Sequence, residues 1–158
     1  MDKNEFFTRQ KANQGVKLFL PDARTGQLTD EWIRVLGKES DAYRAEDHES
    51  HNRIHERLVA VGTKDKTALD AAAKSIIREE TFVMLASLIT EWSFGELTRE
   101  EAVEFLREAP QIADMIDNFT SNRSLFFDSV ASSSSTTPTP NSSSTESQKA
   151  VDSPSEPV

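Results

Sequence analysis

The chain has 158 residues with 18 basic and 27 acidic side chains, a formal charge of −9, and 36% apolar residues. Only four apolar residues fall within 131–158, so one domain of about 130 residues followed by a tail is expected. The absence of cysteine excludes a disulfide scaffold, a thiolate metal site, a thiol nucleophile and an iron–sulfur cluster.

Residues 1–15 are mostly polar, with Phe6 and Phe7 as a candidate anchor. Nothing in Met1–Phe7 resembles the long apolar segment of a secretory signal. Val16–Leu20 is short, apolar and partly alternating, and Trp32–Leu36 is β-rich and closed by Gly37. Between them, Pro21, Asp22 and Gly26 carry turn chemistry: a fixed φ, a side chain that bonds its own backbone, and tolerance of positive φ. The segment 16–37 is therefore predicted to be a β-hairpin. Two strands are marginal in water and must pack on helices or on a partner.

Ser40 is placed as the N-cap of a helix running to about Val61 and stopping at Gly62. Most of this helix is polar on every face, which suits either exposure or a partner. A second helix is predicted from Thr67 to about Trp92, with Leu69, Ala73, Ile76, Ile77, Met84, Leu85, Leu88 and Trp92 at helical spacing. Its stretch Phe82–Ile89 is apolar most of the way round, marking it as the central helix. This run is far short of the roughly 20 residues that cross a bilayer, and no membrane association is expected.

Thr98 and Glu101 match a capping box for a helix over 99–109. Pro110 then opens another over 111–128, in which Ile112, Ile116, Phe119, Arg123 and Phe126 share a face. An arginine in that stripe calls for a carboxylate partner within the fold or for a place at a partner interface. Residues 131–158 are 18 parts in 28 Ser, Thr and Pro, and are predicted to be disordered because they offer too little burial to offset chain entropy. The expected fold is α+β, mainly α: a domain over 1–130 with an N-terminal β-hairpin, about four helices, and a disordered tail over 131–158.

Catalytic patterns are weak. His48, His51 and His55 share one helical face, and the last two have the i, i+4 spacing that can chelate a metal. The His-Glu-x-x-His arrangement is missing, however, and a single exposed helix supplies no wall against water. Glu100, Glu104 and Glu108 step by four and read as a solvated ridge, with Glu100 and Glu101 favourably placed at the helix N-terminus. There is no glycine-rich phosphate loop and no Gly-x-Ser-x-Gly elbow. Residues 68–130 carry 5 basic and 12 acidic groups. That balance, with no basic cluster to displace counterions, argues against nucleic-acid binding and against reading the last two helices as a helix-turn-helix. No cofactor and no enzymatic activity are expected.

Taken together, several segments resemble the tail assembly chaperones of long-tailed, siphovirus-like bacteriophages. They are Val16–Asp22, Thr25-Gly26, Trp32–Gly37 and Ser40–Arg44, then Glu91-Trp92, Glu108-Ala109-Pro110, Ile112–Ile116 and Asn122–Phe126. The resemblance spans most of residues 15–128. It implies a protein that binds the tape-measure protein, keeps it soluble and helps recruit major tail subunits. It also implies action in the cytoplasm of the infected bacterial host and absence from the mature virion. In many such phages a ribosomal frameshift near the end of the gene yields a longer form, and the Ser/Thr/Pro tail would suit a spacer near that point. A structural minor tail or connector protein of the virion is the alternative, and a His-dependent metal-binding protein the third. Self-association is left open.

An acidic helical domain with so apolar a central helix is expected to offer some of that surface to a partner. The candidate contacts are Phe82, Trp92, Phe94, Phe119, Arg123, Phe126 and Phe127. For each phenylalanine and the tryptophan the competing assignment is ordinary core.

Overall fold

A computed structural model describes residues 2–127, and these form a mainly helical α+β domain. The predicted tail over 131–158 lies outside the described residues. In chain order the elements are a 3₁₀ turn (Lys3–Phe6), α1 (Thr8–Gln14), β1 (Val16–Pro21), β2 (Leu28–Val35), α2 (Asp41–Val61), α3 (Lys66–Ala86), β3 (Ile89–Trp92), α4 (Arg99–Glu108) and α5 (Pro110–Ser121).

The hairpin forms where it is expected. Strands β1 and β2 pair antiparallel, with Leu18 opposite Ile33 and Phe19 opposite Trp32. Asp22 organises the turn: its carboxylate accepts from the N–H groups of Arg24 and Thr25, each at 2.9 Å. Those two bonds also hold the Asp22 carboxyl below the usual carboxylate range. Gly26 follows at φ 70°, a left-handed conformation that suits glycine.

The main departure from expectation is β3. Helical spacing carries the apolar stripe of α3 on to Trp92, but the helix ends at Ala86 and Ile89–Trp92 pairs antiparallel with β2. The Ser87 hydroxyl donates to the Met84 carbonyl at 2.6 Å, satisfying one orphan acceptor of the last turn. The chain then reverses, and the second edge of β2 gains a ladder partner. The sheet has the order β1-β2-β3. Its inner face presents Leu20, Ile33, Val35 and Ile89 to a core completed by Phe82, Leu85, Leu106, Ile112 and Ile116 of α3, α4 and α5. Its outer face carries Lys17, Phe19 and Trp32, with the Lys17 ammonium 4.1 Å from the Trp32 ring centroid.

Helix α1 was not expected. It docks through Ala12 against Gly37, where an added Cβ would come within 2.9 Å of the Ala12 Cβ. Arg9 and Asn13 of α1 both reach Asp41 at the start of α2, at 2.5 and 3.1 Å. Phe6 and Phe7 do not act as an anchor, because both rings are exposed. Helix α5 also stops earlier than expected: Asn122 leaves helical geometry, and its side chain accepts from the Ser124 N–H. The single face expected to run from Ile112 to Phe126 is broken there.

Helix α2 packs on α3 almost without apolar burial. Its two buried residues are Glu46 and Ser50. They meet Glu80 of α3, 4% exposed, in an ionic cluster. Arg53 donates to Glu80 at 3.0 and 2.8 Å and to Glu46 at 2.6 Å. Ser50 donates to Glu80 at 3.1 Å and Arg57 at 3.3 Å, and Arg99 at the start of α4 pairs with Glu46. Among the described residues no buried side-chain polar atom lacks a partner.

Candidate partner-binding surface

The residues singled out in the sequence fall into three settings. Phe82 and Phe126 are buried, which corrects their assignment to a contact surface: Phe82 belongs to the central core, and Phe126 packs edge-on against Phe119 at 5.6 Å. The run from Phe82 to Ile89 is largely enclosed because β3 folds back on β2, which buries Leu88 and sets Ile89 on the inner face of the sheet.

A second group lies where the end of α5 meets α1. Phe119 and Phe127 are half-buried, and the Lys11 ammonium sits 4.2 Å from the Phe127 ring centroid. Arg123 is exposed and pairs at 2.5 Å with Glu39 on the β2–α2 connection, so it finds its carboxylate within the fold. The cavity between these groups measures about 20 Å³. That is room for about one water molecule and no ligand.

The third group is open. The rings of Trp92, Phe94 and Phe105 contact one another at centroid distances of 5.6, 5.9 and 5.7 Å. Trp92, at the end of β3, faces the inner side of the sheet opposite Ile33 and donates its indole N–H to the Glu96 carbonyl at 3.2 Å. The capping box predicted at Thr98 is present: its hydroxyl accepts from the Glu101 N–H at 3.2 Å and its own N–H donates to the Glu101 carboxylate at 3.3 Å. That cap fixes where α4 starts and hence where Phe105 stands. Phe94, on the turn between β3 and α4, remains 48% exposed. Beside it runs a groove of about 230 Å³ lined in part by Leu20, Pro21, Glu31, Phe94, Phe105 and Ile112. Phe105 and Glu31 were missed in the sequence. Phe105 lies on the apolar face of α4, and nothing local to its segment reveals that this face extends beyond the core.

His48, His51 and His55 are all exposed on α2. His51 Nδ1 lies 2.7 Å from the Asp47 carbonyl oxygen. Among the described residues no group of three or more His, Asp or Glu side chains is placed to hold a metal ion, and no helix is long and apolar enough to cross a membrane.

Comparison of the chain with protein-family models, with curated proteins and with solved structures finds no match in any of the three.

Proposed function

We propose that this chain is a tail assembly chaperone of a long-tailed bacteriophage. In this reading it binds the tape-measure protein in the cytoplasm of the infected host, keeps it soluble, helps recruit major tail subunits, and leaves before the virion is complete. It works by binding, without making or breaking covalent bonds. The segments that carry the resemblance are the hairpin, the start of α2, the end of β3, the end of α4, and α5 with the turn that follows it. The observation that carries the reading is the open aromatic surface of Trp92, Phe94 and Phe105. An aromatic cluster packed on the core and partly open to solvent at Phe94 suits capture of another chain.

The test is co-expression with the long helical protein encoded beside it in the phage genome. The tape-measure protein is expected to move from the pellet to the soluble fraction and to co-purify with this chain. Equal insolubility with and without it would overturn the proposal. Mass spectrometry of purified virions separates this reading from a structural tail protein, because a chaperone leaves no peptides there.

A further inference from the structure

We infer that the groove beside Phe94 takes a basic amphipathic helix, one apolar side chain of which enters between Phe94, Phe105 and Ile112 while flanking lysines or arginines meet the acidic rim. The inference rests on the proposed function, and it names the chemistry of the client segment that this surface would hold.

Two features make the groove a built surface. The first is its preorganisation. Leu20, Pro21, Phe105 and Ile112 come from β1, α4 and α5, all of which are locked in the core on their other side. Phe94 is held by two aromatic neighbours. An entering side chain therefore meets walls that need little further ordering, which leaves more of the contact energy to appear as affinity.

The second is the sign of the charge. Glu31 lines the groove, and its carboxylate accepts from the Ser93 hydroxyl, next to Phe94 in the chain. Glu101 and Glu108 lie four residues before and three after Phe105, on the same side of α4. Glu96, exposed, lies two residues after Phe94 on the same turn. The cations of β2 and α4 are already committed: Arg34 to Glu91 at 3.2 Å, Arg107 to Glu79 at 2.8 Å, and Arg99 to Glu46. The rim thus presents unneutralised carboxylates around an apolar slot. Lysine and arginine on either side of an apolar anchor complement it, whereas an acidic helix, or the acidic α4 face of a second copy of this chain, would bring like charges together.

The experiment uses the full chain and two labelled helical peptides with identical apolar positions, one flanked by Lys and Arg and the other by Glu, with binding read by fluorescence anisotropy. The basic peptide is expected to bind, more tightly at low salt, and the acidic one at least about tenfold more weakly. Phe94→Ser is expected to weaken the basic peptide by about tenfold or more, as loss of a central aromatic anchor does. Glu108→Lys alters only an exposed position and is expected to weaken it while flattening the salt dependence. Circular dichroism checks that both variants fold. Equal binding of the two peptides, preference for the acidic one, absence of binding, or indifference to both substitutions would each overturn the inference. No phage protein enters this assay, so its failure leaves the co-expression result standing, and failure of co-expression leaves the peptide result standing.

Discussion

Glu80 offers the sharpest test of how this fold is held together. It is 4% exposed. One of its oxygens accepts from Arg53 at 3.0 and 2.8 Å and from Ser50 at 3.1 Å, and the other from Arg57 at 3.3 Å. Removing one partner of a buried ion pair costs about 3–5 kcal/mol. Here Arg53 is about one third exposed and keeps Glu46, so Glu80→Ala is expected toward the lower limit, about 3 kcal/mol. Part of that is the Ser50 hydroxyl, fully buried and left without an acceptor. Glu80→Gln can keep one oxygen facing Arg53 and Ser50 and turns its amide toward Arg57, which swings into water; about 1–2 kcal/mol is expected, the worth of a charge-assisted bond made neutral. Arg57→Ala, at a side chain 48% exposed, is expected below about 1 kcal/mol.

Urea denaturation followed by tryptophan fluorescence measures all three. The pH dependence gives an independent check. Burial pushes the Glu80 carboxyl up, but the hydrogen bonds from Arg53, Ser50 and Arg57 together outweigh it and hold its pKa below the ordinary value. A carboxyl depressed in the folded state binds protons more readily when unfolded. Its stabilisation is therefore full above the unfolded pKa of about 4.3 and fades as pH falls through the lower folded value. The gap between wild type and Glu80→Gln should accordingly be widest near neutrality and close in acid. A Glu80→Ala variant no less stable than Arg57→Ala, or a Gln variant equal to wild type at pH 7, would refute the account.

Three further substitutions probe the rest of the fold. Phe82→Ala, at a core position 7% exposed, is expected to lower unfolding free energy by about 3–5 kcal/mol, read by the same urea titration. Thr98→Ala removes the hydroxyl half of the capping box and should cost about 1 kcal/mol, seen as a lower denaturation midpoint with an unchanged slope. Gly37→Ala sets a methyl group 2.9 Å from Ala12 Cβ and 3.2 Å from its Cα. The expected loss is about 1–3 kcal/mol by overpacking, with faster amide exchange across α1.

What was legible in the sequence was local. The Ser40 cap, the Asp22–Gly26 turn and the Thr98–Glu101 box each depend on atoms within a few residues, and each is present. Strand β3 was not legible, because Leu85, Leu88 and Trp92 satisfy helical spacing as well as they satisfy burial under a sheet. The choice between them is made by the unpaired edge of β2, more than 50 residues away in the chain. Glu46 and Glu80 were hidden for a related reason. Charged residues on a helix read as solvated, and only the approach of α2, α3 and the first residue of α4 shows that they are enclosed. For the candidate surface, periodicity separated apolar faces from polar ones without saying what covers them. Phe82 and Phe126 are covered, whereas Phe94 is not.

The two means of attachment in this domain have different consequences. Between Ser50 and Ile76 no residue is buried, so the outer halves of α2 and α3 rest on each other and on the ionic cluster at their base. The sheet, the end of α3 from Phe82 to Ala86, α4 and α5 instead share one apolar core. Every element that lines the groove at Phe94 belongs to this second part. The ionic cluster adjoins it at Glu80, two residues before Phe82 on α3, and at Arg99, the first residue of α4, a helix already fixed by its own cap; neither side chain belongs to the apolar core. Acid or a Glu80 substitution therefore acts first on the helical hairpin, and the groove keeps its shape as long as the core does. The charges on α2 and α3 set how that hairpin is carried, while the aromatic surface depends on burial, and the proposed binding function draws on the latter.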